Sequence, residues 1–387
     1  MARVSIVRCH RYEEAEVLKA LRRSIDLLGG MGTFVHRGDR VLLKPNLLYG
    51  KRPECAVTTH PSIIKAVIQL VQEAGGLPFL GDSPAIGSAK SVAEKAGIQR
   101  VAEEMGCPII EFNRPVPPSK RIGRIFKKIE IDQAVFEADV VINLPKWKTH
   151  GQMLLTLGVK NLFGCIPGTR KAMWHLKAGE DPYRFAQVLI DLYQIVQPRL
   201  TILDGILGME GSGPNSGDPI SLGLLLASPS SLSLDQVVCD LLGLPRRALL
   251  TNRVGLEQGI EAGEIRVVGE GIGRSKIDRF KLPSVGRTDW SLPSFLKKGL
   301  KNALQARPVL DSTSCVRCLQ CVEVCPPGAL RDGVKGLSID EGRCIHCFCC
   351  QEVCPQGAIK IRPGWATRWL DGRSPRWPAG EGHPLRR

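Results

Sequence analysis

The sequence predicts an α/β fold, a mostly parallel sheet with helices on both faces, followed by a small C-terminal α+β domain built around cysteines. Three observations predict it. Short apolar runs alternate with helical periodicities through about residue 270, which is the pattern of parallel strands joined by crossover helices. Four of those runs end in a polar cluster. Eight of the 14 cysteines then fall in two matched runs near the C-terminus.

The elements follow in order. Residues 3–8 form an apolar strand, and Tyr12 to Leu28 a helix stopped by Gly29-Gly30. Val41 to Lys44 is a buried strand entering a turn at Pro45-Asn46. In Thr59-His60-Pro61, Pro61 suits a first helical position, and Ile63, Ile64, Val67, Ile68, Val71 and Ala74 recur at helical spacing up to Gly75-Gly76. Leu77–Leu80 is a strand ending in Gly81-Asp82-Ser83-Pro84. Short helices are expected over Lys90–Ala96 and Gln99–Met105. Residues 114–130, basic and proline-containing, read as a loop and hairpin. A strand over Ala138–Ile142 runs into Asn143-Leu-Pro-Lys146-Trp147-Lys148-Thr149-His150, after which a helix is expected over Leu154–Phe163. A further helix at 183–196, a strand Leu200–Leu203 ending in Asp204-Gly205, a strand Ile220–Ala227, a helix Ser231–Leu242 and a strand Glu264–Val268 complete this part.

In such sheets ligands bind beyond the carboxyl ends of the strands. Lys44 and Asn46, Asp82 and Ser83, the stretch Asn143–His150, and Asp204 all occupy that position. Taken singly, each is an ordinary turn or cap residue. Four together, with Lys160 and Asn161 close by, predict one crevice able to hold an anionic small molecule. The glycines of 211–217 match neither nucleotide-binding fingerprint.

The cysteines carry the most specific signal. Cys315, Cys318, Cys321 and Cys325-Pro326 repeat as Cys344, Cys347, Cys350 and Cys354-Pro355. Both have the C-x2-C-x2-C-x3-C-P spacing that ligates a 4Fe–4S cluster, with the fourth cysteine serving the other cluster. The expected sets are therefore Cys315, Cys318, Cys321 and Cys354 for one cluster, and Cys344, Cys347, Cys350 and Cys325 for the second. Zinc is the competing metal, disfavoured by two full runs with matching prolines. Cys349 falls outside the spacing and reads as a non-ligand. The 29-residue offset also maps Glu323-Val324 onto Glu352-Val353, an internal duplication that resembles the two-cluster bacterial ferredoxins over about 312–362.

The Asn143–His150 motif, followed by Lys160-Asn161 and Gly164, resembles the family called domain of unknown function 362. The likeness extends through Lys44-Pro45-Asn46, Thr59-His60-Pro61, Gly81–Pro84, Asp204-Gly205-Ile206 and Gly211–Pro214. It implies a shared site over about 3–270, fused to a two-cluster module, and no assigned reaction. Trp147 stands where that motif more usually has Leu.

The expected organisation is an α/β domain over 1–283, an amphipathic linker over 284–313, a cluster domain over 314–362 and a disordered basic tail over 363–387. The linker helix, about 291–306, is expected to pack on the main domain rather than on a membrane. The net charge is +15, yet the cluster module is nearly neutral. No nucleic-acid motif accompanies the basic excess, and no apolar run is long enough to cross a bilayer. Scattered cysteines and the lack of a signal-peptide pattern point to the cytoplasm.

The functional expectation is an oxidoreductase relaying electrons from two 4Fe–4S clusters to an anionic substrate, with an electron donor or acceptor protein as partner. Asp82, His150 and Lys148 are its catalytic candidates; Lys44, Asn46, Ser83, Lys146, Lys160, Asn161 and Asp204 are its binding candidates. The alternative is a non-catalytic electron-transfer or cluster-delivery protein whose α/β domain binds a partner.

Overall fold

The computed structural model describes residues 1–119, 123–260, 263–283, 305–334 and 336–364. The expected linker helix and the tail beyond 364 lie outside the described residues.

Among the described residues the strands, in chain order, are β1 (Ala2–Arg8), β2 (Arg40–Pro45), β3 (Leu77–Asp82), β4 (Ile109–Glu111), β5 (Pro115–Val116), β6 (Ile131–Asp132), β7 (Val140–Leu144), β8 (Lys146–His150), β9 (Leu154–Thr156), β10 (Leu200–Glu210), β11 (Asp218–Ser228), β12 (Ile265–Gly269), β13 (Arg307–Leu310), β14 (Leu330–Gly333), β15 (Gly336–Ile339) and β16 (Ile359–Arg362). The main sheet runs β12-β1-β11-β10-β7-β2-β3-β4. From β10 to β4 every pairing is parallel. β11 runs against both of its neighbours, so the fold is the expected mostly parallel α/β sheet.

Strand alternation divides the interior. Val41 and Leu43 pack with the helices Glu14–Asp26 and Pro61–Glu73 on one face. Leu42 and Val141 pack with Pro182–Val196 on the other. The helix over Pro61–Glu73 starts as the sequence predicts: Pro61 is its first residue, and His60 Nδ1 accepts from Ser62 N at 3.2 Å.

Two local readings change. The polar cluster Asn143–His150 does not only follow a strand, because Lys146–His150 itself forms β8. This strand pairs with the long C-terminal half of β10 (Asp204 opposite Lys146) and with β9 (Lys148 opposite Thr156). The helix expected over 154–163 is consequently shortened to Gly158–Asn161 plus a 3-10 turn, since β9 takes its first residues. Asp235 holds that shortened start, accepting from Gly158 N at 2.8 Å and Val159 N at 3.0 Å.

In the C-terminal module, β13 pairs with β16 and β14 with β15, all antiparallel. β13 lies inside the stretch read as linker. The module packs on the α/β domain: Ala85 and Ile86 reach its core around Cys321, Leu330 and Cys350. Gln351 Nε2 donates to Ser212 O at 2.9 Å.

Candidate functional site

Because β3, β2, β7 and β10 are adjacent and parallel, the four polar clusters lie side by side at one edge of the sheet. They form a buried network in place of an open crevice. Lys44, Lys146, Lys148 and Asp204 have no exposed surface, and Asp82 and His150 almost none.

Two of the lysines are matched to carboxylates. Lys44 Nζ lies 2.8 Å from Asp82 Oδ1, and Asp82 Oδ2 accepts from Leu47 N at 2.9 Å. Gly164 is required beside this pair, since a Cβ there would sit 1.9 Å from Asp82 Oδ1. Ser83 Oγ accepts from Gly168 N at 2.9 Å and from Lys171 Nζ at 2.6 Å. Burial pushes Lys171 down to about 7, against the opposing pull of Asp82. Lys146 Nζ donates to Asp204 Oδ2 at 2.8 Å and to Tyr12 Oη at 2.7 Å. Tyr12 in turn donates to Asp204 Oδ1 at 2.7 Å, and His60 N to Oδ2 at 3.0 Å. The Tyr12 and His60 rings stack at 3.5 Å. Burial and the adjacent Asp204 hold the Tyr12 hydroxyl well above its ordinary range.

An amide chain links these pairs. Asn46 Nδ2 donates to Asn161 Oδ1 at 2.9 Å, and Asn161 Nδ2 to Asn143 Oδ1 at 2.8 Å. Lys148 has no carboxylate of this kind. Its Nζ donates to Asn46 Oδ1 at 2.9 Å and to Val57 O at 2.7 Å, and burial pushes it well below the usual lysine range. Lys160 rests on the faces of Phe163 and Phe185, 5.0 and 5.8 Å from their centroids, and is also pushed down by burial.

The carboxylate that acts most strongly on these last two lysines comes from the C-terminal module. Glu352, two residues after Cys350 and two before Cys354, is buried with Oε1 at 2.8 Å from His150 Nε2. His150 Nδ1 accepts from Gln152 N at 3.1 Å and Met153 N at 3.2 Å. The ring proton is thereby fixed on Nε2, facing the carboxylate. Burial alone would raise Glu352, but the charges around it, His150 and Lys160 foremost, outweigh this and keep it ionised. Burial pushes His150 down, against the opposing pull of Glu352. His175 stacks on Phe185 at 4.1 Å, and burial pushes it down to about 3.

Cys315, Cys318, Cys321 and Cys354 line one cavity together with Leu310, Leu319, Leu337 and Ile359. Cys344, Cys347, Cys325 and also Cys321 lie close enough to Cys350 to act on its thiol electrostatically. Each fourth cysteine accepts an N–H bond at its sulfur: Ala329 N to Cys325 Sγ at 3.1 Å and Ala358 N to Cys354 Sγ at 3.2 Å. Four thiols around an apolar cavity, with amide donors to sulfur, fit the donor set and surroundings of a 4Fe–4S cluster.

Residues 41–240 match the family model described as domain of unknown function, DUF362, and residues 307–355 match the 4Fe–4S dicluster domain. The chain belongs to the DUF362 family. It carries a 4Fe–4S ferredoxin-type domain fused to the DUF362 domain. A thylakoid-associated protein of Synechocystis sp. is 44% identical over 310 residues, covering 77% of this chain and 94% of that protein. The lactate racemase apoprotein of Thermoanaerobacterium thermosaccharolyticum is a slight structural likeness. Its TM-score is 0.40 at 12% identity, over 60% of this chain and 54% of the racemase. Among the described residues no helix is long and apolar enough to cross a membrane.

Sequence reasoning missed Tyr12, Lys171, His175 and Glu352. Nothing local marks them, because each reaches the DUF362 site only through tertiary packing. Trp147, the departure from the motif, is fully buried, and Gly205 makes room for it: a Cβ there would sit 3.0 Å from the Trp147 ring.

Proposed function

We propose that this protein is a two-cluster oxidoreductase that passes electrons to an anionic acceptor held where the module meets the strand ends. One cluster is ligated by Cys315, Cys318, Cys321 and Cys354, the other by Cys344, Cys347, Cys350 and Cys325. When bound, the clusters supply one-electron transfer. The α/β residues bind and orient the acceptor and handle its proton. The observation that carries this reading is Glu352, placed between two of these cysteines yet buried against His150.

Roles divide by pairing. Lys44, Asp82, Lys146 and Asp204 are already neutralised in pairs and frame the site. Ser83 holds Lys171, and Asn46 and Asn161 form the amide chain. Lys148 and Lys160, which have no such pair inside the α/β domain, remain to attract an anion, a carboxylate or a phosphate, beside the Glu352 carboxylate. His150, with its proton on Nε2 facing that position, is the proton donor. All 14 cysteines are free of disulfides, which supports the cytoplasm as the working compartment.

The test is anaerobic purification, metal and sulfide analysis, and mass spectrometry of small molecules released on denaturation. The reading expects about eight irons and eight sulfides per chain, and an anion released from the wild type but not from Lys148→Met. Stoichiometric zinc would overturn the cluster assignment. Identical released molecules from both proteins would overturn the site.

A further inference from the structure

We infer that Lys171 is an amine nucleophile that captures the carbonyl of a small 2-oxo acid as an imine, with the Ser83 hydroxyl beside it as the proton relay. The inference goes beyond the reading above: it adds covalent chemistry to the α/β domain and needs neither cluster.

Lys171 stands in the first turn of the helix Arg170–Ala178, between the Lys160-Asn161 motif and the helix Pro182–Val196. Its surroundings set it apart from the framework lysines. Lys44 and Lys146 each have a carboxylate at 2.8 Å. Among the described residues Lys171 has none within ion-pair distance; its Nζ lies 2.6 Å from Ser83 Oγ and 3.0 Å from Pro84 O. Asp82, already bound to Lys44, draws it upward, while Lys44 and Lys160 oppose its charge and burial outweighs all three. The amine is therefore substantially neutral at neutral pH, where a lysine in water is almost wholly protonated. Desolvation beside other cationic groups is one of the ways a lysine becomes a nucleophile.

The amine is also oriented. When neutral it has two N–H groups, which Ser83 Oγ and Pro84 O accept, and its lone pair is left for a ligand. Ser83 Oγ accepts from both Lys171 Nζ and Gly168 N, the latter at 2.9 Å, so its own O–H is left to donate. Nucleophile and proton donor thus sit side by side. Lys171 is half-buried, and Gly168, Thr169 and Arg170 just before it are exposed, which gives a small molecule a way in from solvent. Lys44 and Lys160, the ammonium groups that act on Lys171, favour a carbonyl compound that carries a carboxylate over a neutral one.

In the reaction Nζ forms a bond to the carbonyl carbon and the π pair moves to the oxygen. Ser83 Oγ gives that oxygen its proton and takes one from the nitrogen, leaving a carbinolamine. The nitrogen's second proton and the new hydroxyl then leave together as water, and a C=N bond remains. One water is released per imine, and nothing is oxidised or reduced.

The experiment uses the purified full chain with sodium cyanoborohydride, which reduces an imine to a stable amine. Glyoxylate is the 2-oxo acid, and glycolaldehyde is a neutral probe of similar size. Adducts are located and timed by peptide mass spectrometry, with the exposed Lys127 and Lys128 as internal references. At pH 7 glyoxylate should modify Lys171 at least about tenfold faster than either reference. That ratio should fall as pH rises toward about 10, where an ordinary lysine also becomes neutral. Glycolaldehyde should give a smaller ratio than glyoxylate. Ser83→Ala should lower the glyoxylate ratio about tenfold or more while leaving the far-UV circular dichroism unchanged. Labelling of Lys171 no faster than of Lys127 and Lys128 would overturn the nucleophile. An unchanged ratio in Ser83→Ala would overturn the relay, and equal ratios for the two probes would overturn the 2-oxo acid. If Ser83→Ala does not fold, the wild-type ratio and its fall with pH decide. None of these measurements uses iron content or anion release, so this amine and the two-cluster reading can fail separately.

Discussion

Replacing Asp204 by Asn separates a structural frame from a binding group. The Asp204 carboxylate is fully buried and takes three donors: Lys146 Nζ at 2.8 Å, the Tyr12 hydroxyl at 2.7 Å and His60 N at 3.0 Å. Asn keeps the shape but removes the charge facing a buried ammonium, and it turns an NH2 toward one of those donors. Breaking a buried pair from one side costs about 3–5 kcal/mol, because the remaining charge is left uncompensated. For a domain of this size, at about 2 °C per kcal/mol, that is a drop in Tm of roughly 6–10 °C. Lys146→Met should cost less, since Asp204 keeps the Tyr12 and His60 donors. The double variant should be less destabilised than the sum by about 1–3 kcal/mol, the coupling expected of contacting residues. Scanning calorimetry of the four proteins, with visible absorbance to verify the iron–sulfur module, reads all three values. A Tm for Asp204→Asn within about 2 °C of wild type would refute the reasoning. Lys146 and Asp204 would then be free to act on a ligand.

Three further outcomes follow from the geometry. Gly164→Ala pushes a methyl group into Asp82 Oδ1 and to 2.7 Å from Lys44 Nζ, so it should destabilise by about 1–3 kcal/mol in the same melting assay. Burial pushes His60 down to about 4, His175 to about 3, and His150 downward. Their folded values lie below the unfolded one, so their stabilisation is complete above pH ~6.5 and is lost as pH falls, at about 1.4 kcal/mol per pH unit for each. His175→Phe should therefore flatten the dependence of Tm on pH between about 6.5 and 5. Cys325→Ala should remove about four irons while Cys349→Ala removes none, by iron analysis under nitrogen; equal loss in both would contradict the ligand sets.

The parts legible in the sequence were those written in local periodicity. The helix starting at Pro61 has its cap, its proline and its apolar stripe within one stretch. The cysteine quartets are readable because an internal duplication repeats the spacing. Strand order was not local: β10 meets β7, β8 and β11 along one strand, and no periodicity announces three partners. For the same reason Lys146-Trp147-Lys148 reads as part of a polar cluster after a strand, whereas it is itself a buried strand. A lysine in a loop and a lysine ion-paired inside a sheet look alike until Asp204, 58 residues away, is placed opposite.

The burial of Lys148 also bears on how the two domains came to share one site. A buried ammonium satisfied by an amide and a carbonyl alone is costly, and a folding domain usually avoids it or pairs it, as this one does with Lys44 and Lys146. Lys148 and Lys160 are left over in the α/β domain, and both are drawn upward by Glu352, which that domain does not contain. The C-terminal module supplies the missing charge from a helix of its own, Cys349–Val353, whose neighbouring cysteines are the proposed ligands. Leaving two lysines uncompensated in one domain makes docking of the other favourable in one orientation. That orientation sets the helix Cys349–Val353, with Glu352 on it, against His150 at the strand ends.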